Sequence, residues 1–175
     1  KKIEYVRSEN NEGKGSVLNL AKDLVKTTHV VIHDADLEYF PEDIVQMNKQ
    51  SVENPNSLIL GSRFRGIKDR NNIYKRTYTA NKAMSLFFSI VNYYRITDVA
   101  TCYKLMPSIF FKQIDIIEKG FSVEIEILSK FLKYNRSVIE VPISYEGRSY
   151  EDGKKIKFRD GYEYLFNTLV YKIKN

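Results

Sequence analysis

The sequence has few of the residues on which several common kinds of protein depend. Its 175 residues include one cysteine, Cys102, so a disulfide-stapled secreted domain is excluded. The two histidines, His29 and His33, flank one short apolar run, which argues against a Ser-His-Asp hydrolase and a Cys/His zinc site. We expect packing or hydrogen-bonding roles for both histidines and a buried thiol at Cys102. No run of about 18 apolar residues occurs, so the sequence contains no candidate transmembrane helix.

The overall composition is that of an ordinary folded domain. Hydrophobic residues make up 43% and charged residues 29% of the chain, which excludes a disordered or collagen-like protein. A length of 175 residues matches one domain or most of one. The first residue is Lys1 and no signal peptide is recognisable, so we expect the chain to begin within a larger domain. The single cysteine makes a reducing compartment the expected location. The net charge of +6 favours anionic partners.

Short apolar runs alternate along the chain with segments of helical periodicity. This order predicts an α/β domain with a mostly parallel sheet, in which binding sites lie at the carboxyl ends of the strands. Pro142 restricts the last long strand to a sheet edge because proline cannot donate a backbone hydrogen bond. The predicted strands are residues 3–6, 29–33, 57–61, 102–106 and 137–145, and the predicted helices are residues 16–27, 74–94, 123–134 and 158–174, with one more that starts near Pro41.

The final predicted helix, residues 158–174, is amphipathic. Its apolar residues form one stripe, which we expect to dock on the core of the domain. The basic residues around the stripe leave a second role open, in which the helix lies on an anionic membrane, and the helix predicted over residues 74–94 raises the same alternative. The stripe consists of Phe158, Tyr162, Leu165, Phe166, Leu169, Val170 and Ile173.

Three carboxylates follow the apolar run of residues 29–33. Asp34, Asp36 and Glu38 are spaced two residues apart at the predicted carboxyl end of a strand. Such residues commonly cap a helix or lie in a solvated loop. Their oxygen atoms also suit a hard divalent cation such as Mg²⁺ or Mn²⁺, which takes waters and substrate phosphates in its other positions. Both interpretations stay open on these residues alone.

Positive charge is concentrated downstream of the carboxylates. Residues 63–82 contain seven basic residues and one acidic residue, a surplus equal to the net charge of the whole chain. Arg63 directly follows a predicted buried strand, where a guanidinium group suits bidentate binding of a phosphate. The basic loop of residues 147–157 is either ordinary surface or a cover over phosphates. The Gly-Lys-Gly-Ser run at residues 13–16 lacks the upstream glycine of a phosphate-binding loop and predicts a turn before a helix.

These motifs belong to a set of short segments spread over nearly the whole chain: residues 11–15, 34–39 with 41–43, 61–64, 76–78 with 81–82, 97–98 with 101–104, 120–121 with 124–126, and 140–145 with 147–148 and 153–155. In this order they resemble the motifs of family 2 glycosyltransferases of the GT-A fold. The similarity is greatest to the dolichyl-phosphate mannose synthase-like enzymes, which transfer sugars to polyprenyl phosphates. The strands that hold the base and ribose in that family have no counterpart here, so the resemblance implies a single catalytic domain over residues 1–175 that lacks its first nucleotide-binding strands.

The resemblance implies a metal and nucleotide site at the carboxylates. Asp36 and Glu38 are expected to bind Mg²⁺ or Mn²⁺. Asp34 is expected to support the metal ion or the nucleotide, together with Ala35. A glutamine often stands where this chain has Glu38.

The resemblance also implies roles for basic residues farther along the chain. Arg63, Arg76 and Arg148 match positions that gather the donor and acceptor phosphates. Lys154 matches a residue of a mobile loop that contacts the donor diphosphate. Asp98 is a candidate base or orienting residue.

The implied activity is the inverting, metal-dependent transfer of a hexose from a nucleotide sugar, of the GDP-mannose or UDP-glucose type, to a polyprenyl or dolichyl phosphate. The implied location is peripheral, at the cytoplasmic face of a membrane. One alternative is transfer to a polysaccharide or other hydroxyl acceptor, which requires a stronger base than the sequence offers. Another is a non-catalytic nucleic-acid-binding module, because Phe64, Tyr74 and Tyr78 interleave with basic residues. We expect no nucleic-acid partner, since carboxylates repel a phosphate backbone. The sugar, the lipid and the oligomeric state stay open.

Overall fold

The computed structural model describes residues 3–7, 11–66, 70–71, 75–147 and 158–174. Its helices and strands follow the alternation that the sequence predicts, and the mixed α/β class is confirmed. The helices are α1 (Lys14–Ala21), α2 (Asp43–Glu53), α3 (Lys75–Asn92), α4 (Ser108–Gln113), α5 (Val123–Tyr134) and α6 (Phe158–Ile173). The strands are β1 (His29–Ile32), β2 (Leu58–Ser62), β3 (Arg70–Asn71), β4 (Lys104–Pro107), β5 (Val138–Pro142) and β6 (Tyr145–Glu146).

The main sheet has four strands in the order β1-β4-β2-β5. Strands β1 and β2 each pair antiparallel with β4, whereas β2 pairs parallel with β5. Three strands therefore run in one direction and β4 runs between two of them in the other. Strand β5 lies at the edge, as Pro142 requires. The ends of β1, β2 and β5 and the start of β4 meet at one edge of the sheet, which we call the carboxyl edge.

The sheet separates two hydrophobic cores because successive side chains of a strand point to opposite faces. Along β2, Leu58 and Leu60 belong to one core and Ile59 to the other. The larger core includes Phe88 of helix α3, Phe110 of α4 and Phe131 of α5. The smaller core includes Met47 of helix α2 and Tyr39, Tyr103 and Tyr145. The two covered faces explain why β2 is buried at every residue.

Several local predictions are confirmed and others are wrong. Helices α3, α5 and α6 match their predicted ranges closely, and Cys102 is a buried free thiol. His29 hydrogen-bonds the Pro55 carbonyl, and the His33 ring packs on Tyr103. Residues 3–6 are irregular and exposed, because four alternating residues make no strand where no partner strand pairs with them. Helix α4, which directly follows β4, was not predicted, because its apolar run is too short to indicate a separate helix.

The prediction that the apolar stripe of α6 docks on the core is wrong. The helix instead buries Tyr164, Thr168 and Tyr171, whose polar atoms are satisfied inside the protein. The Tyr164 hydroxyl donates to the Phe121 carbonyl at 2.9 Å, and the Tyr171 hydroxyl donates to Glu118 at 2.9 Å. Most of the predicted stripe is exposed to solvent: Tyr162, Leu165, Phe166, Leu169 and Ile173.

Helix α3, which packs against α6, likewise buries polar residues and exposes apolar ones. It buries Ser85 and Asn92 beside Phe88, and it exposes Leu86 and Ile90. None of the helices in the described ranges combines the length and hydrophobicity that crossing a bilayer requires.

Candidate active site

The three carboxylates lie on a tight turn after β1, at the carboxyl edge. This turn, residues 34–38, is called the acidic turn below. The Asp36 carboxylate accepts a hydrogen bond from the Glu38 backbone N–H at 3.2 Å, and Leu37 has a positive φ of 63°. Asp34, Asp36 and Glu38 are half-buried, whereas Ala35 is exposed. The turn therefore holds the three carboxylates at the carboxyl edge of the sheet, where each is only partly exposed to solvent.

Asp34 is held by a lysine from the start of helix α1. The Lys14 ammonium lies 2.7 Å from Oδ1 and 2.9 Å from Oδ2 of Asp34, and 2.6 Å from Oε1 of Glu124. Burial by itself lowers the pKa of Lys14, but Glu124 and Asp34 outweigh burial and raise it. Lys14 is thus a fixed cation at physiological pH.

Glu124 in turn contacts a second lysine. Lys104 has no exposed surface, and its ammonium donates to the Glu124 carboxylate and to the Thr101 carbonyl. Burial raises the pKa of Glu124, while Lys104 and Lys14 lower it, and the net shift is downward. The carboxylate is therefore charged and doubly paired inside the protein.

Arg63 lies just after β2 and is bound by Asp98. Its Nε and Nη2 atoms each donate to the Asp98 carboxylate at 2.7 Å, and its backbone N–H donates at 2.9 Å. Arg63 is 7% exposed and Asp98 is 0% exposed. Burial by itself lowers the pKa of a guanidinium group, but Asp98 outweighs it and raises the pKa of Arg63 well above its usual value. Both carboxylate oxygens of Asp98 are engaged, so Asp98 orients Arg63 in this arrangement and does not stand as a base.

Tyr145 connects Arg63 to the acidic turn. Its hydroxyl donates to the Glu38 carboxylate at 2.9 Å, and the Arg63 guanidinium carbon lies 5.0 Å from its ring centroid. The Glu146 backbone N–H donates to the Glu38 carbonyl at 3.0 Å. Burial raises the pKa of Tyr145, Arg63 opposes that shift, and Glu38 reinforces it. The fold thus places a buried cation and a carboxylate of the turn on the same tyrosine.

The remaining candidate residues are less well located. Arg76 lies on α3, but its side chain is outside the described part of the chain, as are residues 148 and 154, where Arg148 and Lys154 stand. In the basic stretch, the Lys82 ammonium lies 5.1 Å from the Phe64 ring centroid, and Phe64 packs edge-on against Tyr78. These aromatic residues pack on one another and on Lys82.

Sequence reasoning missed Lys14, Glu124, Lys104 and Tyr145. The signal for Lys14 was its position between two glycines. At Gly15 an added Cβ would lie 1.8 Å from the Glu118 carbonyl oxygen, so glycine is required for this close approach. Glu124 and Lys104 are acidic and basic residues within apolar surroundings, and their pairing is visible only once the elements are packed.

The donor atoms at the turn suit a hard cation through two of its carboxylates. Among the residues that the structure describes, no group of three or more His, Cys, Asp or Glu side chains is arranged to hold a metal ion. Asp34 is engaged by Lys14. Asp36 and Glu38 offer carboxylate oxygens, and Mg²⁺ or Mn²⁺ is commonly bound by one or two carboxylates together with substrate phosphates. The residues therefore fit a cation that is shared with a diphosphate.

Comparisons with known proteins identify the same type of fold. The sequence model of glycosyl transferase family 2 matches residues 1–114. Among solved structures, the chain resembles glucosyl-3-phosphoglycerate synthase from Mycobacterium tuberculosis in complex with UDP, with a TM-score of 0.66 and 14% identity over 91% of this chain. A second structure, in complex with Mn²⁺, UDP-glucose and glycerol 3-phosphate, matches with a TM-score of 0.62 and 13% identity over 91% of this chain. The chain covers 55% of the length of each, and the likeness shows the GT-A fold.

Proposed function

The chain belongs to glycosyl transferase family 2, and we propose that it transfers a hexose from a nucleotide sugar to a polyprenyl phosphate. In this proposal residues 1–175 are part of one catalytic domain, which works peripherally at the cytoplasmic face of a membrane. The donor is of the UDP-glucose or GDP-mannose type. The observation that carries the lipid acceptor is the exposure of apolar side chains on helices α3 and α6, both of which also bury polar residues.

The acidic turn is the proposed donor site. Asp36 and Glu38 would hold Mg²⁺ or Mn²⁺, and such a cation, when bound, offsets the charge that develops on the nucleoside diphosphate leaving group. Tyr145 orients the Glu38 carboxylate through its hydroxyl. Asp98 orients Arg63, whose guanidinium carbon lies 5.0 Å from the ring centroid of Tyr145, the residue that donates to Glu38. We assign Arg76, Arg148 and Lys154 to the substrate phosphates on the family resemblance alone.

A phosphate acceptor suits the chemistry of these residues. The second pKa of a phosphate monoester is about 6, so the nucleophile is largely ionised at neutral pH and needs little help from a base. A hydroxyl acceptor requires a general base within hydrogen-bond reach. Asp98 is engaged by Arg63 on both carboxylate oxygens and is fully buried. Positioning the two phosphates in line is then the main task of the protein.

The exposed apolar residues of α3 and α6 support a lipid surface as the location of the acceptor. Leu86 and Ile90 on α3 are each 62% exposed, and Phe166 on α6 is 56% exposed. The Lys172 ammonium of α6 lies 5.2 Å from the ring centroid of Tyr93, which joins the exposed sides of the two helices at one end. Apolar residues with flanking lysines suit an anionic membrane interface. We call the exposed residues Leu86, Ile90, Tyr93, Tyr162, Leu165, Phe166, Leu169 and Ile173 the α3–α6 face.

Sugar transfer tests the reaction. The intact protein is incubated with radiolabelled UDP-glucose or GDP-mannose, Mn²⁺ and a short polyprenyl phosphate, and the labelled lipid is extracted. We expect transfer by the wild type, a loss of at least about 100-fold in Asp36→Ala, and an unchanged rate in Asp23→Ala, an exposed carboxylate just after the end of α1. Full activity of Asp36→Ala in a chelator contradicts the role of the cation. Transfer to glycerol 3-phosphate or a glucan, with none to the lipid, contradicts the proposed acceptor.

Vesicle binding tests the membrane separately. The intact protein is sedimented with vesicles of phosphatidylcholine and phosphatidylglycerol, and the bound fraction is measured as a function of lipid. We expect Ile90→Glu and Phe166→Glu each to weaken binding by about tenfold, because each places a charge at the interface. The matched control is Val52→Glu on α2, at a residue that is 73% exposed on another helix. Equal binding by all four proteins contradicts the proposed interface, and salt-sensitive binding of DNA without sugar transfer indicates the nucleic-acid module.

A further inference from the structure

Four charged side chains alternate in sign behind the acidic turn. They come from four different elements: Asp34 after β1, Lys14 in α1, Glu124 in α5 and Lys104 in β4. Each neighbouring pair in this series is in hydrogen-bond contact. Their side-chain exposure falls from 35% at Asp34 through 19% and 4% to 0% at Lys104. The series therefore runs from the rim of the candidate site into the protein interior.

The series is balanced in charge, and each buried member depends on its neighbours. Two ammonium groups face two carboxylates, so no buried charge is left without a counter-ion. Glu124 lies between both lysines, and this environment lowers its pKa despite burial. Removing Lys14 leaves Asp34 without this counter-ion at the rim.

Backbone contacts fix the position of Lys14. The Gly15 backbone N–H donates to the Lys119 carbonyl at 3.2 Å. Gly13 has a φ of 90°, and an added Cβ there would lie 2.2 Å from the same carbonyl oxygen. The lysine thus stands on a turn that is pressed against residues 118–119, directly before α5 and Glu124. The packing of α1 against the segment before α5 therefore fixes the position of the Lys14 ammonium.

We propose that Lys14 is a positioning residue that keeps Asp34 as its counter-ion, so that Asp34 fixes the acidic turn and does not bind the cation. The inference rests on the proposed function, in which Asp36 and Glu38 bear the metal, and it adds the separate role of Asp34. An ammonium group in contact with both oxygens of Asp34 occupies the position from which a divalent cation would bind that carboxylate. Lys14 acts through Asp34 and the turn, not by contact with the substrate.

A double-mutant cycle on metal binding tests this inference. Mn²⁺ affinity is measured by the electron paramagnetic resonance signal of free Mn²⁺, with saturating UDP, for the intact wild type, Lys14→Met, Asp34→Asn, the double variant and Asp36→Asn. We expect Asp36→Asn to lose more than about 30-fold in affinity. Lys14→Met and Asp34→Asn should each lose about three- to tenfold. The double variant should be no weaker than Lys14→Met, because both changes break the same Lys14–Asp34 contact and only Lys14→Met also removes the pair with Glu124.

The control separates positioning from stability. Lys130→Met removes another lysine contact to a buried glutamate of α5, the 2.7 Å pair with Glu126, and does not remove either partner of the Lys14–Asp34 contact. We expect its Mn²⁺ affinity to stay within twofold of the wild type, whatever its urea midpoint. An Asp34→Asn loss equal to that of Asp36→Asn, tighter Mn²⁺ binding by Lys14→Met, or multiplicative losses in the double variant overturns the inference. A wild type that binds no Mn²⁺ with UDP overturns the proposed function, and this inference with it.

Discussion

The carboxyl edge and the α3–α6 face depart from ordinary burial in opposite ways. At the carboxyl edge, Arg63 and Lys104 are buried and each is paired with a carboxylate. At the α3–α6 face, apolar side chains such as Ile90 and Phe166 are exposed while Ser85 and Thr168 are buried. Fully buried charges are uncommon unless they are paired, whereas single exposed apolar residues are ordinary and only a contiguous apolar patch is informative. The carboxyl edge therefore keeps its buried charges in ion pairs, whereas the α3–α6 face leaves several apolar side chains exposed to solvent.

The two regions differ in what a substitution should change. A buried ion pair owes its stability to geometry, so removing one partner leaves a desolvated charge. An exposed apolar residue contributes little to folding, so its replacement should affect binding more than stability. Variants of the carboxyl edge should therefore unfold more readily, and variants on α6 should fold as well as the wild type.

The largest effect on stability is expected for Asp98→Asn. This change keeps the shape of the side chain but leaves the buried Arg63 guanidinium without its counter-ion, and we expect a loss of about 3–5 kcal/mol in the free energy of unfolding. Urea denaturation measures it. The exposed Asp23→Asn should change stability by less than about 0.5 kcal/mol. A loss below about 1 kcal/mol in Asp98→Asn would mean that the pair is not buried as described.

A smaller loss is expected for Gly15→Ala. The added Cβ meets the Glu118 carbonyl oxygen at 1.8 Å, so α1 must move away from the segment before α5. Forced repacking of this kind costs about 1–3 kcal/mol in unfolding free energy. The movement also displaces Lys14, so Mn²⁺ binding with UDP should weaken together with the urea midpoint. An unaltered midpoint would show that the turn has room for a side chain.

The Cys102 thiol should make the carboxyl edge sensitive to alkaline pH. Burial, followed by Asp34 and Glu124, raises the pKa of Cys102 to about 12 from its ordinary 9.0. The unfolded thiol ionises first, so this contribution to stability is complete below pH 9 and is lost as the pH rises toward 12. Between pH 8 and pH 10 the wild type should lose about 1.4 kcal/mol more than Cys102→Ala in urea denaturation. Parallel pH profiles for the two proteins would contradict the shift.

The smallest expected effect is a gain in stability, for Gly161→Ala in α6. An added Cβ there has no heavy atom within 4 Å, and alanine favours a helix interior over glycine by about 0.5–1 kcal/mol. The urea midpoint should therefore rise. The same replacement thus has opposite signs at the carboxyl edge and in α6. A lower urea midpoint for Gly161→Ala would mean that the added methyl group meets a neighbouring atom, and it would contradict the contrast with Gly15.

Local patterns predicted much of the fold. Helices α3, α5 and α6 have long runs of helical periodicity, and the positions of β1, β2 and β5 follow from short apolar runs with turn residues around them. The predicted strand over residues 3–6 was wrong because strand formation depends on a partner, which a short alternating pattern does not supply. The antiparallel direction of β4 could not be predicted either, because the apolar run of a buried strand does not indicate which way the strand runs in the sheet.

The candidate site was predicted in part. Asp34, Asp36 and Arg63 were expected at one edge because they follow strands that run in the same direction, and the structure places them there. The partners of these residues were not predictable. Lys14 is 110 positions from Glu124 in the chain, and Arg63 is 35 positions from Asp98. Contacts over such separations depend on how helices pack on the sheet.

The sequence by itself determined the fold class, the carboxylates that follow β1 and the basic residues downstream, because these depend on residue type and local spacing. The tertiary structure alone decided which charges meet and which helix faces are buried. Helix α6 turns Tyr164, Thr168 and Tyr171 toward the core and leaves most of its apolar stripe exposed. The two tyrosine hydroxyls meet acceptors in the segment before α5, and the Thr168 hydroxyl meets the Tyr164 carbonyl within the helix. Lys14 became the counter-ion of Asp34 because two glycines let its turn approach the start of α5.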